Sequence, residues 1–568
     1  MILLVILYII SSYFTIIYGN VQVNIKYGTI EGFEYQCEKE KKYNIFLGIP
    51  YAKPPIGKLR FEEKEPENWN NVLITKKYGS QCLQISKEDI FFENNEDCLF
   101  LNIIQPKVKE NNSKLLPVLL WIHGGGYAVG SSNIYNYKNL IDSFANQDII
   151  VVTINYRLGI LGFPSLGDKV MPGNYGYWDQ RLAIKFIYEN IKNFNGDNKK
   201  ITIFGLSAGG GSVGALSISP HTRNYISKVI EMSGSTLSNW ALGNKIIVDS
   251  TKEISNAVNC SNTDNESIKN CLKSKSINEF LDGIEKIGSS LKDISLLKFK
   301  PAFDNDFFPK SIEELINESP KIPTYIGFTN EEGLFFTLLG LSKSINLIYI
   351  DPENFQNYNH ILFTEDVKKL ISTKNRYGEN YLNVTEEIVE FYVNKAKKIS
   401  PELNYKRYLI AYTQIVSDLI ISISTLWEAE MKAEAGWPIW LYYNTHYNPN
   451  HYNKSLPLFG ATHAHEYPYM FKLDIFGKFE WNNNDKLYYN NLVTSIGNFV
   501  KYDSPSTKDF EWKPFSLLRN EYLEMNDKPI MKNDLLKETS DFWKYIREKY
   551  NYDIISDIPY IKKIKDEL

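Results

Sequence analysis

Six apolar runs stand out along the chain: "LPVLLWIH" (116–123), "DIIVVTINY" (148–156), "ITIF" (201–204), "YISKVIEMS" (225–233), "IPTYIGFT" (322–329) and "GWPIWLYYN" (436–444). Most are continuous rather than alternating, the pattern of strands covered on both faces. Between the second and third runs lies "DQRLAIKFIYENIKNF" (179–194). There Leu182, Phe186, Ile187, Asn190, Ile191 and Phe194 recur at helical spacing, with Lys185, Glu189 and Lys192 interleaved. Strand, amphipathic helix, strand predicts a right-handed crossover and a parallel sheet. With no internal repeat and no long like-charge block, the pattern predicts one α/β domain over 20–550.

Composition narrows the class. Of 568 residues, 43% are hydrophobic, enough for a large core, and the formal net charge of -4 gives no sign of a nucleic-acid partner. Both ends carry address-like signals. Residues 1–19, "MILLVILYIISSYFTIIYG", are apolar, uncharged and end on a small residue, as a signal peptide does. Residues 551–568 read as a tail ending in Lys565-Asp566-Glu567-Leu568, the signal read by the KDEL retrieval receptor of the endoplasmic reticulum (ER) lumen. No other segment reads as long and apolar enough to cross a bilayer. The spacings of Cys82 with Cys98 and of Cys260 with Cys271 suggest two short disulfide loops in an oxidising compartment, leaving Cys37 free. Asn111, Asn259, Asn265, Asn317, Asn383 and Asn453 open glycosylation sequons.

Chemistry enters at "ITIFGLSAGGGSVGAL" (201–216), where G-x-S-x-G occurs twice, around Ser207 and around Ser212. Ser207 follows the β-rich "ITIF" by three residues, at the turn into a helical segment. That is where a nucleophile elbow stands, with Gly205 and Gly209 removing side chains that would collide across the turn. Ser212 falls about one and a half turns into the following segment and reads as a packing residue. A serine hydroxyl needs a base and the base an orienting acid, in chain order Ser, Asp/Glu, His on such sheets. His360, His446, His451, His463 and His465 all lie well downstream of Ser207, and periodicity does not choose among them.

"FLGIPYAKPPIGKLRF" (46–61), "NEDCLFLNI" (95–103), "PVLLWIHGGGYAVGSS" (117–132), "NYRLGILGF" (155–163), "GNYGYWDQRLAIKFIYENIKNFNGD" (173–197) and "FGLSAGGGS" (204–212) follow one another in order. Together they resemble the type-B carboxylesterase/cholinesterase family of α/β-hydrolases, over about 24 to 550 and least so between about 340 and 435. The resemblance implies a large, mostly parallel sheet flanked by helices, with helical insertions after the acid-bearing strand, and neither metal nor cofactor. In "GFTNEEGLFF" (327–336) it makes Glu332 the triad acid and leaves Glu331 as a solvated surface charge. In "GATHAHEYPYMF" (460–471) it makes His463 the base and His465 structural or exposed. His360, His446 and His451 are then bystanders in Asn/Tyr-rich loops, and Ser233 is a serine that steadies the triad. The oxyanion donors are the N–H groups of Gly125, Gly126 and Ala208, with His123 holding the glycine loop.

Two features found within the family are missing. An acidic residue usually precedes the nucleophile, and here it is Leu206. The Cys82–Cys98 loop also lacks the tryptophan that cholinesterases use to hold a quaternary ammonium, with Phe91 or Phe92 a weak substitute. Both absences point away from choline esters, toward neutral, apolar-acyl esters as the small-molecule substrate. Leu206, and Leu297 and Phe299 in "LLKFKPAFDNDFFP" (296–309), are the candidate pocket residues. The alternatives are a catalytically weak or inactive binding protein on the same fold, or a cholinesterase- or lipase-like variant.

Overall fold

The computed structural model describes residues 19–561, except 38–40, 85–93, 108–113, 244, 262–263, 292, 341–347 and 453–455. The apolar leader up to residue 18, the KDEL residues, Phe91, Phe92, Asn111 and Asn453 lie outside the described residues.

Among the described residues one mixed sheet holds thirteen strands. They are β1 (Asn20–Ile25), β2 (Gly28–Gln36), β3 (Lys42–Pro50), β4 (Leu73–Ile74), β5 (Phe100–Pro106), β6 (Leu116–Ile122) and β7 (Ile150–Ile154), followed by β8 (Gly196–Leu206), β9 (Lys228–Met232), β10 (Thr324–Thr329), β11 (Ile439–Asn444), β12 (Tyr522–Met525) and β13 (Ile530–Lys532). The order is β1-β2-β3-β5-β7-β6-β8-β9-β10-β11-β12-β13, with β4 beside β2. From β7 through β12 every neighbour is parallel. The edges are antiparallel, with β1, β2, β3 and β5 on one side and β13 on the other. All six apolar runs lie in the parallel centre, because only strands covered on both faces need continuous hydrophobicity.

The predicted crossover helix spans Tyr175–Asn190 and tightens into a 3-10 turn at Ile191–Phe194. It is tied to the end of β7 by a buried ion pair in which Arg157 Nε donates to Asp179 at 2.7 Å. The two faces of the sheet bury separate apolar clusters. Ile203 belongs to one and Phe204 to the other, as the period of two requires.

Helices fill the stretch between β10 and β11. The longest run, Tyr405–Glu434, passes through a π-helical turn at Asp418–Ser422. By length and composition it could cross a membrane, contrary to the expectation that only the leader could, but 94% of its apolar window is buried inside the protein. Cys82 is bonded to Cys98 and Cys260 to Cys271, and Cys37 is a free, half-buried thiol. Residues 551–561 fold back: Ile554 and Ile555 are buried, and Asp557 accepts from Arg376 Nε at 2.7 Å.

Candidate active site

β8 ends at Leu206, the helix Ala208–Ile218 begins two residues later, and Ser207 makes the turn at φ 61, ψ -126. An L-residue is strained there, and such strain persists only where the surroundings fix it. They do so through main chain. Ser207 N–H donates to the Met232 carbonyl at 2.9 Å, and its own carbonyl accepts from Gly211 N–H at 3.0 Å. A Cβ on Gly205 would stand 2.3 Å from the Gly209 carbonyl oxygen, and one on Gly209 would stand 2.2 Å from that of Ile122. Ser212 is wholly buried within the helix, with Gln180 Nε2 3.3 Å from its hydroxyl.

The loop after β6 faces this turn. Gly125 and Gly126 have φ of 111° and 60°, and among the described residues neither gives its N–H to another backbone group. Ala208 is the first residue of its helix, where the N–H has no intrahelical acceptor. His123 braces the loop. Burial pushes its imidazole down to about 4, so it is neutral, and Nδ1 donates to the Gly124 carbonyl at 2.8 Å.

Glu332 follows β10 and is fully buried. Its Oε1 accepts from Ser233 Oγ at 2.6 Å and from Thr329 N–H at 2.7 Å. Its Oε2 lies 2.6 Å from His463 Nδ1. The two loops, 131 residues apart, are stitched by one main-chain bond, Glu331 N–H to the Ala461 carbonyl, and one to a side chain, Ala461 N–H to Asn330 Oδ1. Phe335 and Phe336 pack on the imidazole, with ring centroids 5.6 and 5.2 Å away. Ser207 joins the group through its neighbours, since Met232 holds its N–H and Ser233 holds Glu332. Among the described residues no hydrogen bond links the Ser207 hydroxyl to His463; such contacts commonly tighten only once substrate is bound.

Several expectations change. Glu331 is not a solvated charge but 8% exposed, and burial pushes its carboxyl up to about 8. Of the two alternatives for His465, structural or exposed, it takes the structural one: it is fully buried, with Nδ1 3.1 Å from Tyr452 Oη. His360 opens the helix His360–Leu370 instead of lying in a loop. His446 is buried against Asp485 at 2.9 Å, and His451 packs on Phe479. The three candidate pocket residues divide between the faces of the sheet. Leu297 lies against the glycine loop, 3.4 Å from where a Cβ on Gly126 would stand, and Phe299 is in the same cluster. Leu206 packs into the opposite cluster with Trp121, Phe204 and Met232, so it shares no wall with them. On its side a cavity of about 200 Å³ is bounded by Gln81, Gln84, Gly124, Gly125, Tyr135 and Tyr467, among others. No Asp, Glu, Lys or Arg lines it. The Gln84 amide is already spent on both backbone groups of Gly130.

The sequence reading missed Glu466 as a group in its own right. It is fully buried, and burial together with the nearby Glu332 charge pushes it up to about 8. It also missed Glu231, Glu428 and Lys432, all fully buried. A glutamate inside the apolar run "KVIEM" was the available signal.

A sheet with a parallel centre, flanking helices and a strand-to-helix serine turn is the α/β-hydrolase fold. Residues 19–543 match the Carboxylesterase family, and the chain belongs to that family. It is similar to gut esterase 1 of Caenorhabditis briggsae, 36% identical over 96% of this chain and 97% of the relative. It is 33% identical to esterase FE4 of Myzus persicae, over 87% of each chain. It is 30% identical to the medium-chain fatty acyl-CoA hydrolase precursor of Anas platyrhynchos, over 93% of this chain and 92% of the relative. The protein is a carboxylic ester hydrolase.

Proposed function

We propose that the chain cleaves neutral esters with apolar acyl groups through an acyl-enzyme on Ser207, in the ER lumen. The observation that carries this reading is His463 Nδ1 lying 2.6 Å from a fully buried carboxylate that two further donors hold in place. An imidazole fixed in that way presents Nε2 as a base. His463 takes the proton of Ser207 as Oγ attacks the ester carbonyl, and Glu332 stabilises the imidazolium. The N–H groups of Gly125, Gly126 and Ala208 receive the oxyanion, a single such donor being commonly worth about 10²–10³ in rate. The imidazolium then protonates the departing alcohol. Water repeats the sequence on the acyl-enzyme and releases the acid.

Substrate neutrality is supported by the uncharged lining of the 200 Å³ cavity and by Leu206 where an acid would add negative charge. The apolar Leu297 beside the glycine loop supports an apolar acyl group, as does a relative named for medium-chain fatty acyl-CoA. The leader-like start, the terminal KDEL and two disulfides support the luminal address and the KDEL receptor as partner. The test is hydrolysis of p-nitrophenyl butyrate by the purified chain, together with organophosphate labelling. The expected adduct is on the peptide bearing Ser207, and turnover with no adduct there rejects the mechanism.

A further inference from the structure

Behind the nucleophile turn lies a fully buried charge cluster. Glu231 on β9 and Glu428 and Lys432 on the helix Ile423–Glu434 have side chains with no exposure at all. Lys432 Nζ donates to Glu231 Oε1 and stands 2.8 Å from Glu428 Oε1. The other Glu231 oxygen, Oε2, has no hydrogen-bond partner among the described residues. It converges with Glu428 Oε1 at Gly214, where a Cβ would lie 3.3 Å from the first and 2.8 Å from the second. Two carboxyls meeting at one point beside one lysine can share a proton, and burial pushes Glu231 up to about 8 despite Lys432. At neutral pH the cluster is therefore Lys432 cationic, Glu428 anionic and Glu231 neutral.

A buried ion cluster adds little net stability over an apolar replacement of the same shape. What this one supplies is a fixed anionic acceptor. Glu428 Oε2 accepts from Ser235 Oγ and, at 2.8 Å, from Thr236 N–H. The turn so anchored touches both halves of the site. Ser233 Oγ donates to Glu332 at 2.6 Å, and Gly234 is so close to the nucleophile that a Cβ there would lie 2.1 Å from the Ser207 carbonyl oxygen. We propose that Glu428, held by Lys432 and Glu231, is a positioning residue for ester hydrolysis, acting through the Ser233–Thr236 turn on Ser207 and Glu332 together. The inference rests on the reading of Ser207, Glu332 and His463 as the reacting groups.

The charged groups that face Glu231 are Lys432 and Glu428, both from one helix; Ser235 and Thr236 bond to Glu428, Gly214 adjoins both carboxyls, and the Trp437 ring lies 5.3 Å from Lys432 Nζ. As pH rises through about 8, Glu231 loses its proton and two carboxylates face one lysine. The Glu428 anchor is then disturbed, and kcat falls.

The experiment measures kcat and KM separately on p-nitrophenyl butyrate with the full chain, from about pH 6 to about pH 9. Glu428→Gln, whose amide cannot accept both turn donors at one end and pair with Lys432 at the other, is expected to lose about 10- to 100-fold in kcat with KM within about twofold. Ser235→Ala, which removes one donor and leaves Glu428 still paired with Lys432 and the Thr236 N–H, is expected to lose about fivefold in kcat. Glu231→Gln, which copies the protonated carboxyl, is expected to abolish the alkaline fall. A folded Glu428→Gln with the parent kcat overturns the proposal. If that variant does not fold, Ser235→Ala with the parent kcat overturns it, as does an alkaline limb unmoved in Glu231→Gln. Inactive Ser207→Ala beside unaffected Glu428→Gln defeats this inference alone; active Ser207→Ala defeats the mechanism beneath it as well.

Discussion

Around Ser207 the restraints are main chain against main chain. The strained turn is walled by the carbonyls of Ile122, Gly209 and Met232, and there is no room for a methyl group at Gly205 or Gly209. Around His463 the restraints are mostly side chains: a carboxylate, two phenylalanine rings and, behind them, buried Glu466, His465 and Tyr452. The first region tolerates no added atom at Gly205 or Gly209, and the charge proposed to steady it, Glu428, acts only through the Ser233–Thr236 turn. In the second, Gly333 is as confined, a Cβ there standing 2.2 Å from the Thr413 carbonyl oxygen, but the role proposed for the imidazole rests on direct contact with a carboxylate. Direct contact with main chain dominates one half of the site and direct contact with a carboxylate the other.

The sharpest test of that contrast is an isosteric change in the second region. Glu332→Gln keeps the volume and removes the charge, and kcat on p-nitrophenyl butyrate is expected to fall about 10³–10⁴-fold while the melting temperature stays near that of the parent. A fall below tenfold would mean that the carboxylate does not hold an imidazolium. In the first region a single methyl group should be enough. Gly209→Ala is expected to cost about 4 kcal/mol or more in urea unfolding, because the obstacle is the Ile122 carbonyl, which has no flexible end to move aside. A soluble variant with the parent midpoint would show that the turn can relax.

The smallest effect on kcat comes from applying the Glu332 substitution one residue earlier. Glu331 is held protonated in the fold up to about pH 8, whereas in the unfolded chain it ionises near 4.5. Its folded pKa is raised, so its contribution is full below about 4.5 and is lost as pH rises toward 8, at no more than about 1.4 kcal/mol per pH unit. Glu331→Gln is expected to keep kcat within about twofold at neutral pH and to gain stability over the parent across that window. Equal pH slopes in parent and variant would show that Glu331 is ionised after all.

The parallel centre of the sheet, the crossover helix and the elbow at Ser207 were legible because continuous apolar runs, a 3.6-residue period and paired glycines are local signals. Choosing Glu332 and His463 needed the resemblance, since no periodicity separates Glu332 from Glu331 or His463 from His465. The misreading of Glu331 has a physical cause: a glutamate looks the same in sequence whether it faces water or, as here, lies under the base-bearing loop.

By itself, then, the sequence determined the six apolar strands of the parallel centre, the crossover helix between β7 and β8, the sharp turn at Ser207, and which residue types were available for acyl chemistry. These follow from near-neighbour sterics and the alternation of apolar and polar positions. Tertiary structure alone decided which carboxyls are buried, that Leu206 lies across the sheet from Leu297 and Phe299, and that Glu231, Glu428 and Lys432 meet behind the turn. Those outcomes depend on which distant segments exclude water from one another, and desolvation is a property of the packed whole, not of any stretch of chain.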